Sequence, residues 1–249
     1  MLNPRFLNLG DSALTIEFGN DIDKDLVLKV ASMDDCLTKA KENGSLNGVV
    51  ETIPTFRSLT VVFDPVLISK KTLKSQIMDL LKSFDMTASP ESNRWLLPVL
   101  YGGEYGPDLE TVAECKNLTA ERVIELHTSQ LYTVYMIGFL PGFPFMGDVV
   151  HEIHMPRRTE PRVIVPAGSV AITGQQTAVY PWESPGGWQL LGRCPLNLFD
   201  AELVSPTLLS PGDQVGFQAI SSDRLKELLE QKKAGLLDME QFKITGSRL

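Results

Sequence analysis

The sequence predicts an α+β protein in two parts: a small α/β two-layer unit over residues 1–88, then a β-barrel or sandwich over residues 94–249. Three observations carry that prediction. Between Ile22 and Asn43 the apolar residues Ile22, Leu26, Val30, Met33, Leu37 and Ala40 recur at three- and four-residue steps, the period of a helix with one buried face. Asp85 to Arg94 (DMTASPESNR) is a polar, proline-bearing run of the kind that joins domains. From Leu131 onward, short β-branched and aromatic segments alternate with Gly/Pro turns, as in barrels and sandwiches.

In order, Leu14 to Phe18 (LTIEF) alternates apolar and polar residues like a half-buried strand, and Gly19-Asn20 closes it. The helix from Ile22 stops at Asn43-Gly44. Val49 to Pro54 and Ser58 to Phe63 read as an antiparallel pair around Thr55 to Arg57. Ser69 offers an N-cap to a second helix with Leu73, Ile77, Leu80 and Phe84 on its apolar side. The resulting βαββα order lays helices on one face of a small antiparallel sheet.

After the linker, Trp95 to Tyr101 reads as a strand, and Leu109 to Cys115 and Thr119 to Ser129 as helices, with Asn117 as breaker and Thr119 as N-cap. Strands are expected at Tyr132 to Ile137, Arg162 to Val165, Val170 to Ile172, Ala178 to Tyr180 and Gln189 to Leu191, and another after the turn SPGDQV, ending near Phe217. An amphipathic helix over Asp223 to Lys233, capped by Ser222 or Asp223, precedes a closing strand over Phe242 to Thr245.

Composition excludes several classes. A chain of 249 residues with 43% hydrophobic and 22% charged residues has the make-up of a globular protein rather than a disordered one. A net charge of −8 works against nucleic-acid binding, which rests on Lys and Arg releasing counterions. No run approaches the length and apolarity of a membrane span, and the N-terminus lacks the basic and apolar regions of a secretory signal, so a cytoplasmic location is expected. Cys36, Cys115 and Cys194 match no zinc spacing and read as reduced thiols.

The residues able to carry chemistry cluster between 127 and 193. His127, on the apolar side of its helix, reads either as a general acid or base or as a core-edge histidine satisfied by a backbone carbonyl. His151 and His154 are spaced i, i+3, but Pro156 disfavours a helix there and a metal needs further ligands, so a polar surface turn is expected and no metal. Arg157, Arg158 and Arg162 are held between Pro156 and Pro161 and suit bidentate binding of a carboxylate or phosphate, or pairing with the chain's own acids. Gln175, Gln176 and Thr177 read as a turn between strands whose carboxamides can meet an amide or lactam. Tyr180, Trp182 and Trp188 flank Pro185-Gly186-Gly187 and suit either a pocket wall or core packing. Cys194 follows Arg193, which favours a thiolate, but no histidine lies near it in sequence. Neither GxxxxGK[ST] nor a strand followed by GxGxxG occurs, so ATP, if used, is expected on another chain.

In these residues the chain resembles the family of 5-oxoprolinase B subunits, also described as the KipI family and as allophanate hydrolase subunit 1. The likeness is carried by YMIGFLPGFPFMG (Tyr135 to Gly147), PRRTEPRVIVPAGSVAITGQQTAVYP (Pro156 to Pro181) and SPGGWQLLGRCPLNLFD (Ser184 to Asp200), with GDSAL near the N-terminus. It implies a cyclophilin-like β-barrel after the α/β two-layer unit. It also implies a heteromeric, ATP-dependent enzyme in which a B subunit works with a homologous C subunit and an A subunit to open 5-oxo-L-proline to L-glutamate. His127, Arg157, Arg162, Gln175, Gln176, Tyr180 and Arg193 match the polar positions of the family motifs: arginines for a carboxylate or phosphate, glutamines for the lactam amide, His127 for proton transfer. Phe145 and Ala178 stand where a tyrosine and a glycine are common, and Cys194 where a threonine is, which counts against a catalytic cysteine. The rival readings that the resemblance leaves open are an inhibitor that binds a sensor histidine kinase and the carboxyltransferase half of a urea-degrading enzyme.

Overall fold

The computed structural model describes residues 4–20, 24–83 and 92–244. Contacts divide the chain into two compact units, residues 1–92 and 93–249. Phe84 and most of the Asp85 to Arg94 linker lie outside the described residues.

The first unit runs β1 (Arg5–Leu9), β2 (Ala13–Glu17), α1 (Lys24–Glu42), β3 (Val49–Pro54), β4 (Ser58–Phe63) and α2 (Lys70–Ser83). The four strands form one antiparallel sheet in the order β1-β2-β4-β3. Alternation decides its inner face: Leu14 and Ile16 on β2 and Leu59, Val61 and Phe63 on β4 join Val30, Met33 and Leu37 of α1 and Leu73 and Ile77 of α2 in one core. Ser69 caps α2, its hydroxyl accepting from the Thr72 amide at 3.1 Å. The expected βαββα order lacks β1. Nearly every residue of that strand is exposed, so RFLNL carries no alternation to read.

The second unit runs β5 (Arg94–Tyr101), α3 (Leu109–Lys116), α4 (Ala120–Thr128), β6 (Tyr132–Ile137), β7 (Pro144–Gly147), β8 (Arg162–Val165), β9 (Ser169–Thr173), β10 (Gln176–Val179), β11 (Ser184–Gly186), β12 (Gln189–Arg193), β13 (Gln214–Ala219) and α5 (Ser222–Lys233). Seven strands close a barrel in the order β10-β7-β6-β13-β5-β12-β9, while β8 and β11 form a separate two-stranded ribbon. The expected α+β architecture is the observed one, with the β-rich part a barrel rather than a sandwich. Asn117, at φ 54°, ends α3, and Thr119 caps α4 by accepting from the Arg122 amide.

The barrel has two apolar faces. Residues from every barrel strand, among them Val99, Val134, Met146, Val170, Val179, Leu191 and Phe217, meet Val112 of α3 and Val123 and Leu126 of α4 in the larger cluster, which is therefore the interior. Ala171, Ala178 and Leu190 alternate onto the outside and join Phe143, Val165, Tyr180 and Trp188 beneath the ribbon.

Several local expectations are corrected. Gln176 and Thr177 belong to β10 rather than to the turn, because the hairpin needs only Gly174 and Gln175 to reverse. Ser221, not Ser222 or Asp223, caps α5 by accepting from the Arg224 amide at 3.2 Å. The closing strand over Phe242 to Thr245 is absent among the described residues. Asp238 accepts from the Glu240 amide and turns Met239–Phe242 into a 3₁₀ segment, leaving Lys243 a lone bridge to Trp95, and Thr245 lies outside the described residues.

Candidate functional site

The site is built on a carboxylate that the sequence pattern disguises as a helix cap. Asp108 precedes α3 but makes no side-chain cap bond. Instead its Oδ1 accepts from Arg158 Nη1 at 3.0 Å and from Arg162 Nη2 at 2.7 Å. Its Oδ2 accepts from the Leu190 amide of β12 at 2.7 Å, and the residue is 3% exposed. One buried acid thus ties the arginine loop, the ribbon and the barrel wall together. Bidentate-capable guanidinium groups are the partners that make burying such a charge tolerable.

Beside this anchor lies a cavity of about 510 Å³ lined by Phe139, Phe143, Arg157, Arg158, Tyr180 and Trp188, with the Pro185 to Gly187 turn as its lip. Its floor is aromatic: Phe143 packs edge-on against Tyr180 at 5.0 Å and against Trp188 at 5.9 Å. Gly186 is required here, because a Cβ would stand 2.4 Å from the Tyr180 hydroxyl. Burial pushes the Tyr180 phenol up, and the nearby Arg157 charge offsets part of that rise. Arg157 is exposed and, among the described residues, makes no ion pair. Phe139 stands on the rim in the left-handed region at φ 66° and is 65% exposed. Phe145 and Ala178 both lie in or against the cluster that floors the cavity.

Arg162 and Arg193 face a different, smaller basin of about 250 Å³, together with Tyr105 and Glu104. The arginines expected to act as one set are therefore divided between two places, Arg157 and Arg158 in one, Arg162 and Arg193 in the other.

His127 is in neither. It sits inside the barrel, 0% exposed, stacked on Phe217 at 4.6 Å. Thr177 Oγ1 donates to the Ala171 carbonyl at 3.0 Å, so at 2.9 Å it accepts from His127 Nε2. That leaves Nδ1 to accept from the Tyr101 hydroxyl at 2.7 Å. Burial brings the imidazole down to about 3, so it is uncharged at neutral pH.

The glutamines also stand apart from the cavity. Gln175 is exposed in the hairpin turn, where its carbonyl accepts from the Val149 amide at 2.9 Å. Gln176 shares the outer face of β10 with Ala178 and Tyr180 but lies four strand positions, about 13 Å, from Tyr180. Its Nε2 is buried and has no partner among the described residues. His154 Nε2 bonds the Val149 carbonyl at 2.7 Å, and among the described residues no three His, Cys, Asp or Glu side chains converge as metal ligands. Cys194 is 2% exposed and its thiol is pushed up to about 12 by burial, so it is no nucleophile at neutral pH.

A barrel with an outward aromatic cavity set beside paired arginines defines the class. Residues 4–209 match the sequence model of the carboxyltransferase domain, subdomain C and D, and the chain belongs to that family. Within it the chain is similar to the 5-oxoprolinase B subunit of Bacillus subtilis (strain 168), with 43% identity over 86% of this chain and 91% of the relative. It is also similar to the 5-oxoprolinase B subunit of Escherichia coli O157:H7, with 39% identity over 87% of this chain and 96% of the relative. The resemblance read from the motifs is borne out. The crystal structure of TTHA0988 superposes with a TM-score of 0.74 at 34% identity over 84% of this chain, which spans about 40% of the length of that one. No helix among the described residues is long and apolar enough to cross a membrane.

Proposed function

We propose that this chain is the B subunit of a cytoplasmic, ATP-dependent 5-oxoprolinase that opens 5-oxo-L-proline to L-glutamate together with C and A partner subunits. The observation that carries the reading is the 43% identity to a 5-oxoprolinase B subunit across 91% of that protein's length, which leaves little of the relative unmatched. The cavity suits such a substrate: a five-membered ring against Phe143, Tyr180 and Trp188, and a carboxylate toward Arg157.

The reaction breaks the lactam C–N bond and adds water at the carbonyl carbon, forming the γ-carboxylate and freeing the amino group. A lactam is resonance-stabilised, so its carbonyl must be activated, and that is what ATP supplies. The sequence holds no Gly-rich phosphate loop to cradle a whole nucleotide. The nucleotide site is therefore assigned to a partner subunit. This chain's own part is to hold the ring and its carboxylate and to keep water from the floor of the cavity. Tyr180, in the cavity wall, is assigned the role of hydroxyl donor to developing negative charge. His127 is assigned a structural role, because both ring nitrogens are already bonded inside the barrel.

The test is co-purification of the chain with the A and C homologues of its own genome, followed by assay of glutamate and ADP formed from 5-oxoproline. Turnover that needs all three chains is expected. A stable complex that turns over nothing rejects the substrate, and the absence of any complex rejects the subunit assignment. An inhibitory surface for a histidine kinase would expose the aromatics; Tyr180 and Trp188 are only 2% and 4% exposed, while Phe139 and Trp182 are 65% and 45% exposed.

A further inference from the structure

We propose that the basin between Arg162 and Arg193 is a second anion subsite, fitted to a phosphate-sized oxyanion and separate from the cavity at Tyr180. No residue lines both. At about 250 Å³ the basin falls below the roughly 300–1,000 Å³ of sites that hold whole drug-sized ligands, so it takes a group rather than a nucleoside.

Two guanidinium groups reach it from different strands, and both keep donors that the described residues leave unbonded. Arg162 spends Nη2 on Asp108, and its Nη1 is buried without a partner among the described residues. Buried donors are almost always bonded, so Nη1 gains an acceptor once a small turn of the side chain brings it to a ligand in the basin. Arg193 makes no ion pair among the described residues. Its guanidinium lies 5.6 Å over the Tyr105 ring, which orients it without neutralising it. Its stem packs over Gly168, at φ 82°, where a Cβ would come 2.4 Å from the Cys194 carbonyl and 3.5 Å from Arg193 Cγ. Packing therefore places Arg193, and no carboxylate among the described residues pairs with its charge.

Asp108 is shared between Arg158 and Arg162, so it offsets only part of the Arg162 charge, and against Glu104 the basin keeps the charge of Arg193 in excess. Glu104 on its wall opposes an anion but forms no ion pair with either arginine among the described residues. A tetrahedral phosphoryl group can accept from two forks arriving on different sides, which a planar carboxylate does less well. The ligand is a phosphoryl oxyanion, whether free phosphate or the terminal group of a nucleotide held elsewhere by a partner. This assignment stands on the geometry of the basin and does not depend on the 5-oxoprolinase reading.

The test is calorimetric titration of the intact chain with inorganic phosphate, and separately with ATP, in low-salt buffer. Saturable phosphate binding is expected. Arg193→Gln should weaken it about tenfold or more, the loss of a charge-assisted hydrogen bond. Glu104→Gln should tighten it severalfold, and Arg157→Gln should leave it unchanged. The same titrations of the complex with the A and C homologues separate the sources: ATP binding tighter than phosphate there, with the same dependence on Arg193, assigns the group to a nucleotide, and equal affinities there assign it to free phosphate. Absence of saturable binding to the folded chain overturns the proposal, as does an Arg193→Gln variant that binds phosphate like the parent. Arg193 lacks the Asp108 tie of Arg162, so its variant tests charge without loosening the anchor. A chain that binds phosphate but not 5-oxoproline would sink the substrate reading and leave this one standing.

Discussion

His127 and Arg157 mark two polar regions of one barrel that differ in what the fold leaves undone. Inside, His127, Tyr101 and Thr177 close a hydrogen-bonded chain that ends on the Ala171 carbonyl, with the imidazole held neutral. Outside, Arg157 is exposed and without an ion pair among the described residues, above an aromatic floor. The first region has its partners and so contributes structure. The second lacks one and so has affinity to spare. A motif residue's chemistry is thus judged better by its unmet bonds than by its type.

Breaking the inner region should have the largest effect. His127→Ala removes a fully buried ring and strands the Tyr101 hydroxyl, at a cost of about 4 kcal/mol of unfolding free energy, read by urea denaturation. Affinity for 5-oxoproline in whatever remains folded should be unchanged; lost turnover at parental stability would make His127 catalytic after all. The same ring gives a pH signature. Folding holds it at about 3 against the ordinary 6.5, so between those values the unfolded chain binds the extra proton. Its contribution is complete above pH 6.5 and is lost as pH falls toward 3, at no more than about 1.4 kcal/mol per unit. Asp34 and Asp213, pushed up by burial, act with the opposite sign. His127→Gln should flatten the first slope, visible as a smaller difference between urea midpoints near pH 5 and pH 7.

At the seam between the regions, Asp108→Asn should cost about 2–3 kcal/mol, because a buried charged acceptor of three hydrogen bonds is lost. Unlike the inner variant, it should also weaken ligand binding in the cavity. Arg157→Met should change stability by no more than about 0.5 kcal/mol while weakening 5-oxoproline binding about tenfold. The smallest effect concerns Cys194: a thiol reagent should modify exposed Cys115 in the native protein and reach Cys194 only on unfolding. Rapid native modification of Cys194 would show that the interior opens more readily than its packing implies.

Elements with a strong period were legible. The strands over Val49–Pro54, Ser58–Phe63 and Tyr132–Ile137 fall where alternation puts them, and the caps at Ser69 and Thr119 follow from residue type. The strands β7 and β11 were not legible, since their runs are only four and three residues long and carry prolines. Of the site, the motif arginines and Tyr180 stand out by composition. Their division into two basins does not, because Arg157 and Arg158 lie in the loop before the ribbon, Arg162 on its strand β8 and Arg193 on the barrel strand β12, positions that only the folded topology relates. Asp108 was hidden for a simpler reason: its arginine partners lie 50 and 54 residues away, and an acid before a helix already has a local explanation as a cap.

The parallel pairing of β13 with β5 joins Gln214 to Arg94, across 120 residues, and closes the barrel. While the chain is being synthesised, every other barrel strand is made before that closure is possible. Until β13 emerges, both β5 and β6 present an open edge, the kind of template on which nascent chains stick to one another. Non-local closure of this sort folds slowly. Yield in a host cell should therefore depend on how fast the last strand arrives, so that slowing translation just before residue 214 would cost more protein than slowing it anywhere within the first unit.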